Sequence, residues 1–385
     1  MKTISILSSV TEDAKKIQKD YNLCDSCLGR LFVKKLSLTS NRLLGKKIHK
    51  KISKKSAKCY ICKDLIDNLD TFHSDILEKT KNYQFDSFLV GAILKHSIIE
   101  RDDLIRSKYQ LKGIDSVKTD ISRQLAKNLS QKTKSAIDHL KPELTITVNF
   151  KNNSIDLRSK SLILAGRYTK NSRVLPQKQK SCQNCKGKGC LTCNFHGISG
   201  FDSVEGKISQ FLYGKFSSPQ VKITWIGGED KTSLVKGKGR PFFAQIINPK
   251  KRKIRLPKKI SLDEIQLLGL KQIQSIPKSP LRFRSKIELF LETEDVLSSN
   301  KLKKLDELKN SQIAIYEESK RIEKSSYSVK YSKTGPKSFR LLLEVDGGVP
   351  IKKFVDGETV FPNLSDLLDT KCFCKEFDFH QVTIQ

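Results

Sequence analysis

No stretch of this sequence is apolar for long enough to cross a bilayer, which excludes a membrane-spanning helix. Histidine is scarce: the six present form no zinc-hydrolase pattern, so hydrolysis at a histidine-held metal is set aside. Two glycine signatures are also missing. There is no Gly-x-x-x-x-Gly-Lys-Ser/Thr phosphate loop, and no Gly-x-Gly-x-x-Gly follows a parallel strand, so the common nucleotide-binding folds find no support. The deepest shortage is of acid. Lys and Arg number 73 against 41 Asp and Glu, a formal net charge of +32. Such a surplus favours a polyanionic partner, because each phosphate contact releases condensed counterions. At 37% hydrophobic residues, the 385-residue chain has the material for two or three cored domains and is no disordered tail.

What is abundant is paired cysteine. Eight of the ten cysteines fall in four C-x-x-C pairs: Cys24/Cys27, Cys59/Cys62, Cys182/Cys185 and Cys190/Cys193. Disulfide frameworks belong to short secreted chains, and this one is long and basic. Thiolates two residues apart bite one tetrahedral zinc from a tight turn, and four thiolates leave no open position for a substrate. The sites are therefore read as structural. How the halves combine stays open, since only four residues separate Cys185 from Cys190. Cys372 and Cys374 read as neighbours on one strand face, with no function. The start, Met1 to Val10, lacks a signal peptide's apolar length and cleavage site, and Glu12-Asp13 follow it. The expectation is a cytoplasmic protein.

Four regions follow along the chain. Residues 1–64 hold two C-x-x-C pairs around a segment, Lys34 to Lys58, with ten cations and no acid. If the flanking pairs share one metal, that segment is tethered at both ends and faces phosphate. Residues 65–180 read as mixed α/β, with helical spacing from Ile114 to Leu140 and a strand at Leu144–Phe150. Ser154–Leu157 and Ser161–Ala165 are expected to pair beside that strand. Residues 181–200 form the second cysteine cluster. Residues 201–385 change to short strands with charged turns. Val221–Ile226 runs as a strand into Gly227-Gly228 and an Asp230 turn, and Phe242–Ile247 is the strand after it. Lys250–Arg255 is a second cationic stretch. Ser261-Leu-Asp-Glu264 reads as a capping box opening a short helix through Leu268. A helix at Asn300–Leu308 and a buried strand at Phe339–Val345 complete the pattern.

Chemistry concentrates at Asp230. It stands at a strand end, among Lys231, Arg240 and the flexible Gly237 and Gly239 of a turn suited to phosphate. An ionised aspartate beside cations can attack carbon, and those cations hold its charge.

These segments resemble a known family. Cys24-Asp-Ser-Cys-Leu-Gly-Arg30, followed by Phe32, looks like the N-terminal signature of the archaeal and eukaryotic pseudouridine synthases that modify the T-loop of tRNA. Gly166-Arg-Tyr-Thr-Lys170 and the Cys182–Cys193 run look like the archaeal branch. Gly227 to Phe242 matches the catalytic motif Gly-Arg-Glu-Asp-x-Asp-Val-Arg-x-Leu-Gly-x-Gly-Arg-Pro-Phe without a gap. Gly348 to Gly357 resembles the C-terminal block Gly-x-Tyr-Ile-Lys-Glu-x-Val-x-Gly. The resemblance implies an α+β protein: a zinc-bearing N-terminal region with a THUMP-like RNA-binding domain, and a catalytic C-terminal pseudouridine synthase fold on a mixed, largely antiparallel sheet. It implies isomerisation of T-loop uridine by Asp230, with Lys231, Gly237, Gly239, Arg240 and Lys352 contacting RNA or substrate. The expected cofactor is structural zinc, about two ions on the eight paired cysteines, with no organic cofactor. The expected partner is tRNA, and the expected state a monomer.

The departures all fall around the active site. Gly228 replaces an arginine of the motif; Thr232 and Leu234 replace its second aspartate and second arginine. Pro350 stands for a tyrosine, and Lys286 or Ile287 for another. In family terms those tyrosines contact uracil and an arginine steadies the aspartate. Lys231, Arg240 or Lys352 could supply the missing cation. The departures also support an alternative, a catalytically impaired zinc-containing tRNA-binding protein or chaperone of the same fold.

Overall fold

The computed structural model describes residues 2–33, 40–52, 57–111, 114–278, 280–317 and 320–385, with backbone alone over 2–9. Contacts divide the chain into two compact units, Met1–Lys160 and Ser161–Gln385.

The first unit opens on α1 (Lys2–Asp20), which buries Val10, Ala14 and Ile17, one stripe at helical spacing. Two short helices follow, α2 (Asp25–Arg30) and α3 (Asn41–His49). They cross where only glycine fits: a Cβ on Gly29 would lie 1.8 Å from the Asn41 carbonyl oxygen, and one on Gly45 1.8 Å from that of Asp25. That close approach gives the Leu-Gly-Arg signature its glycine. Its arginine, Arg30, is buried, pairs with Asp102 and donates to the Asp115 carbonyl at 2.7 Å. Next come α4 (Asp70–Thr80), β1 (Ser87–Ile93), α5 (His96–Lys108), α6 (Val117–Thr133), β2 (Ala136–Ile137), β3 (Leu144–Asn149) and β4 (Ser154–Ser159). The four strands form one sheet in the order β2-β1-β3-β4. β1 runs parallel to β2 and β3, and β4 antiparallel to β3. Helix α6 occupies the middle of the Ile114–Leu140 stretch and buries Val117, Ile121, Leu125 and Leu129, while Ala136–Ile137 of that stretch is strand β2.

The second unit is built on an eleven-stranded sheet. Its elements are β5 (Leu162–Lys170), α7 (Val204–Phe216), β6 (Gln220–Trp225), β7 (Val235–Ile247), β8 (Lys259–Leu262), β9 (Ile265–Ile273), β10 (Phe283–Thr293), α8 (Ser299–Lys303), β11 (Gln312–Glu317), β12 (Lys320–Gly335), β13 (Ser338–Asp346), α9 (Ile351–Asp356), β14 (Val360–Phe361), α10 (Leu364–Leu368) and β15 (Cys372–Ile384). The strand order is β14-β11-β12-β13-β10-β15-β7-β5-β9-β8, with β6 on β7. Among the described residues every pairing is antiparallel except β7 with β15, which makes the sheet mixed and largely antiparallel.

Two expectations fail here. The strand at Ser161–Ala165 does not pair beside Leu144–Phe150. It begins β5, which lies between β7 and β9 in the second unit, while β4 alone takes the free edge of β3. The capping box at Ser261–Glu264 opens no helix. It is the turn of the β8–β9 hairpin, with Asp263 at φ 50°. Pairing of β9 along β5 buries Ile265 and Leu267, and this tertiary gain overrides a local helix signal. The helix at Asn300–Leu308 is observed as α8 continued by a 3₁₀ turn, Lys304–Leu308.

One edge of β7 has two tenants. β15 pairs with it at Val235 and Gly239, and β6 pairs from Phe242 to Ile247. The loop joining β6 to β7, residues 226–234, emerges where one neighbour hands over to the other. This seam positions the candidate site.

Candidate active site and metal centres

Asp230 lies on that loop with 27% of its side chain exposed. Its Oδ1 accepts the Thr232 backbone N–H at 3.0 Å and the Thr232 hydroxyl at 2.8 Å, closing a tight local turn. Its Oδ2 lies 2.9 Å from Nζ of Lys352, which projects from α9. Helix α9 is fixed by buried Ile351, Phe354 and Val355 and ends at Gly357, whose φ of 99° suits glycine. Lys352, then the Thr232 donors, lower the pKa of Asp230 to about 2. The carboxylate raises that of Lys352 in turn. Of the three cations that sequence left open, Lys352 reaches Asp230.

Arg240 sits elsewhere. It is completely buried, with its guanidinium 4.1 Å from the centre of the Phe379 ring, and it donates to the Ile226 carbonyl at 2.9 Å. Its charge partner is Glu229, at 3.4 Å. Glu229 is fully buried as well and also meets Lys170 at 3.1 Å and the Tyr168 hydroxyl, which donates to it at 2.7 Å. Lys170 donates further to the carbonyls of Leu175 and Lys231, at 3.0 and 3.2 Å. Burial, then the Glu229 charge, pushes the Tyr168 phenol well above its ordinary pKa. Tyr168 and Lys170 both come from the Gly166–Lys170 segment, so the role of that segment here is to hold the loop from below. A second anchor is Asp378 on β15. It accepts from the Leu234 backbone N–H at 3.0 Å and pairs with Arg173 at 2.8 Å and Lys236 at 2.7 Å. Burial raises its pKa, and these donors more than reverse the shift. Arg173 adds a bond to the Thr232 carbonyl at 2.8 Å.

The expected phosphate turn is strand. Gly237 and Gly239 lie inside β7 at φ 55° and 70°, where a Cβ would come within 2.7 Å of the His380 carbonyl oxygen and 2.5 Å of that of Tyr168. Their glycine character serves close strand packing. Arg240 is buried and paired with Glu229, so as placed it has no face for RNA. Lys231 is exposed on the loop, and a Cβ on Gly228 would meet nothing within 4 Å. Ile287 is in the core, whereas Lys286 is exposed on β10. Sequence reasoning missed Glu229, Lys170, Tyr168 and Asp378. Glu229 is adjacent to Asp230 in the motif, and that adjacency was the available signal.

The cysteines assemble into two separate tetrads. One is Cys24, Cys27, Cys59 and Cys62; the other is Cys182, Cys185, Cys190 and Cys193. Within each, all four sulfurs lie within 4.8 Å of one another. A tetrahedral ion with Zn–S bonds of about 2.3 Å places its sulfurs about 3.8 Å apart. Cys24 and Cys62 are 3.7 Å apart, Cys182 and Cys190 3.9 Å, and Cys185 and Cys193 3.8 Å. Backbone N–H groups of Gly189 and Gly197 donate to Cys185 and Cys193 sulfur at 3.1 and 3.3 Å, a donor set that favours thiolate. Both tetrads fit a structural metal. The first is buried in the core of its unit, and three of the second four are half-exposed. The first tetrad joins both ends of the cationic segment. Part of that segment, 34–39 and 53–56, lies outside the described residues; within the remainder, Arg42, Lys46, Lys47 and Lys50 are exposed around α3.

Residues 163–383 match the family described as Pus10, C-terminal, and residues 72–149 match the archaeal Pus10 THUMP domain. A protein of Nitrosopumilus maritimus named tRNA pseudouridine synthase Pus10 is 52% identical, with 97% of each chain covered. The protein of that name from Cenarchaeum symbiosum is 41% identical over 96% of this chain and 91% of its own. That of Methanocaldococcus jannaschii is 28% identical over 94% of this chain and 92% of its own.

Proposed function

The chain belongs to the Pus10 family of tRNA pseudouridine synthases, and on that premise we propose that it isomerises a T-loop uridine of tRNA with Asp230 as the nucleophile. The observation that carries this reading is the Asp230–Lys352 pair at 2.9 Å. A carboxylate with a pKa of about 2 is fully ionised at neutral pH, and among the described residues its charge partner is Lys352, 64% exposed. Such a group is available to attack carbon and is not locked into a buried bridge.

The reaction balances without oxidant or cofactor. Attack by Asp230 on the nucleotide accompanies cleavage of the bond from C1′ to N1. The base turns, a bond forms from C1′ to C5, the C5 proton is lost, N1 gains one, and the carboxylate is released. Lys352 stays beside the carboxylate as its charge is consumed and restored. The Glu229 and Asp378 anchors keep the loop in place, which limits the reorganisation needed at the reacting atom. The target uridine must leave its stack to reach Asp230, at a cost of about a few kcal/mol. Contacts of the cationic surface with the phosphate backbone offset that cost.

We read both tetrads as zinc sites that hold loops and take no part in the chemistry. Elemental analysis of freshly purified, reduced protein should give about two zinc ions per chain; a content near zero would refute that assignment. For the activity itself, pseudouridine mapping on an unmodified tRNA transcript after incubation with the wild-type protein should show conversion at a T-loop uridine. Tight tRNA binding with no converted uridine would favour instead a tRNA-binding protein or chaperone that has kept the fold.

A further inference from the structure

A cavity of about 580 Å³ opens beside the first residues of β10, with walls outside both the Asp230–Lys352 pair and the Glu229 cluster. Its size falls in the range of about 300–1,000 Å³ usual for small-ligand sites. Two aromatic rings, Phe283 and Tyr327, line it together with Asp346, Lys324, Arg282 and Glu323.

The aromatic wall is rigid. The Arg284 guanidinium lies 3.6 Å from the centre of the Tyr327 ring, and the Tyr327 hydroxyl donates to Asp346 Oδ1 at 2.9 Å. The Ser325 backbone N–H donates to Asp346 Oδ2, also at 2.9 Å. Among the described residues each carboxylate oxygen therefore has one bond and a remaining lone pair. Phe283 is held against Gly347, where a Cβ would lie 2.2 Å from the ring, and its carbonyl accepts the Gly347 N–H at 2.7 Å.

The cavity is coupled to the Asp230 loop by contact. The Phe283 ring lies 2.6 Å from the position a Cβ would take on Gly227, three residues before Asp230. Gly347 and Gly348 lead directly into α9, which carries Lys352. Lys324 reaches over the same turn, its Nζ 3.7 Å from the Cβ position of Gly348. An occupant stacked on these rings thus meets Phe283, which packs on the Asp230 loop at Gly227, and Gly347, which precedes α9.

We propose that this cavity binds a second, unstacked nucleotide of the substrate RNA, flanking the target uridine in the same strand. The proposal rests on the synthase reading above. The base stacks against Tyr327 and Phe283, a sequence-tolerant contact. An exocyclic amino group then donates to the free lone pairs of Asp346, which selects adenine, cytosine or guanine and disfavours uracil, which has none. Lys324 and the exposed Arg282 meet the phosphate at the rim, while Glu323, also exposed, disfavours a phosphate placed directly beside it.

The test uses T-arm stem-loop RNAs, each with 2-aminopurine at one position flanking the target uridine. They are bound to the full-length Asp230→Asn protein, which removes turnover from the signal. One position should show a fluorescence change, and Tyr327→Ala in that background should abolish it and weaken binding about tenfold. Tyr327→Phe keeps the ring and should keep the signal, which separates loss of stacking from loss of fold. Lys324→Glu, on the rim, should weaken binding without moving the responding position. The proposal is overturned if Tyr327→Ala leaves both signal and affinity unchanged. It is equally overturned if cytidine or adenosine 5′-monophosphate displaces the RNA signal at the RNA's own affinity, which would make this a free-nucleotide site. Failure of the wild type to form pseudouridine would defeat the synthase reading while leaving these binding results to decide the cavity.

Discussion

The Glu229 side chain is wholly buried between Lys170 and Arg240, whereas the very next residue, Asp230, keeps 27% of its side chain exposed and meets the solvated Lys352. The two carboxylates share a loop and differ in everything that decides their work. Glu229 is surrounded by cations and a phenol that leave it no approach, so it anchors. Asp230 has its charge held but its face open, which is what the proposed nucleophile requires. The contrast explains how a loop that has lost the motif's arginine at Gly228 can still present its aspartate. Position comes from below, through Tyr168, Lys170 and Arg240, and charge balance comes from the side, through Lys352.

Three substitutions test this division, in decreasing order of expected effect. Glu229→Gln leaves Lys170 and Arg240 buried without a counter-charge and should destabilise the second unit by about 3–5 kcal/mol, measured by urea unfolding. A stability within experimental scatter of wild type would mean that Glu229 is no anchor. Lys352→Met should leave stability nearly unchanged and lower the single-turnover rate about tenfold. The sign of its pH effect follows from the depressed pKa of Asp230. The ion pair is fully present above the ordinary carboxylate value of 3.8 and is lost as pH falls through about 2. Without Lys352, the acid limb of activity should therefore move up, towards 3.8. An acid limb that stays put would remove Lys352 from the site. Thr232→Val deletes the hydroxyl donor and keeps the backbone one, so the rate should fall only about threefold. A larger loss would transfer to Thr232 part of the role assigned to Lys352.

Much of this was legible in the chain. The C-x-x-C spacing announced cysteines that could hold a metal, the strand into Gly227-Gly228 announced the loop, and Asp230 stood out among cations. Which cysteine pairs combine was not legible, because Cys24 and Cys59 meet only through the folding of the segment between them. Glu229 was passed over for a similar reason. Its burial depends on β5, whose Tyr168 and Lys170 arrive by antiparallel pairing with β7 from some sixty residues upstream. Arg240 reads as a phosphate contact in a Gly-Lys-Gly-Arg turn until that turn becomes strand and folds it under the loop. The capping box at Ser261–Glu264 misled because a four-residue pattern cannot report the partner strand waiting for Ile265 and Leu267.

The central claim is that Asp230 attacks the uridine, and single-turnover pseudouridine formation on unmodified tRNA by wild type and Asp230→Asn tests it most directly. With tRNA affinity measured alongside, the account predicts binding within about twofold and a rate lower by at least about a thousandfold. Conversion by Asp230→Asn at a rate close to wild type would contradict it and require another nucleophile.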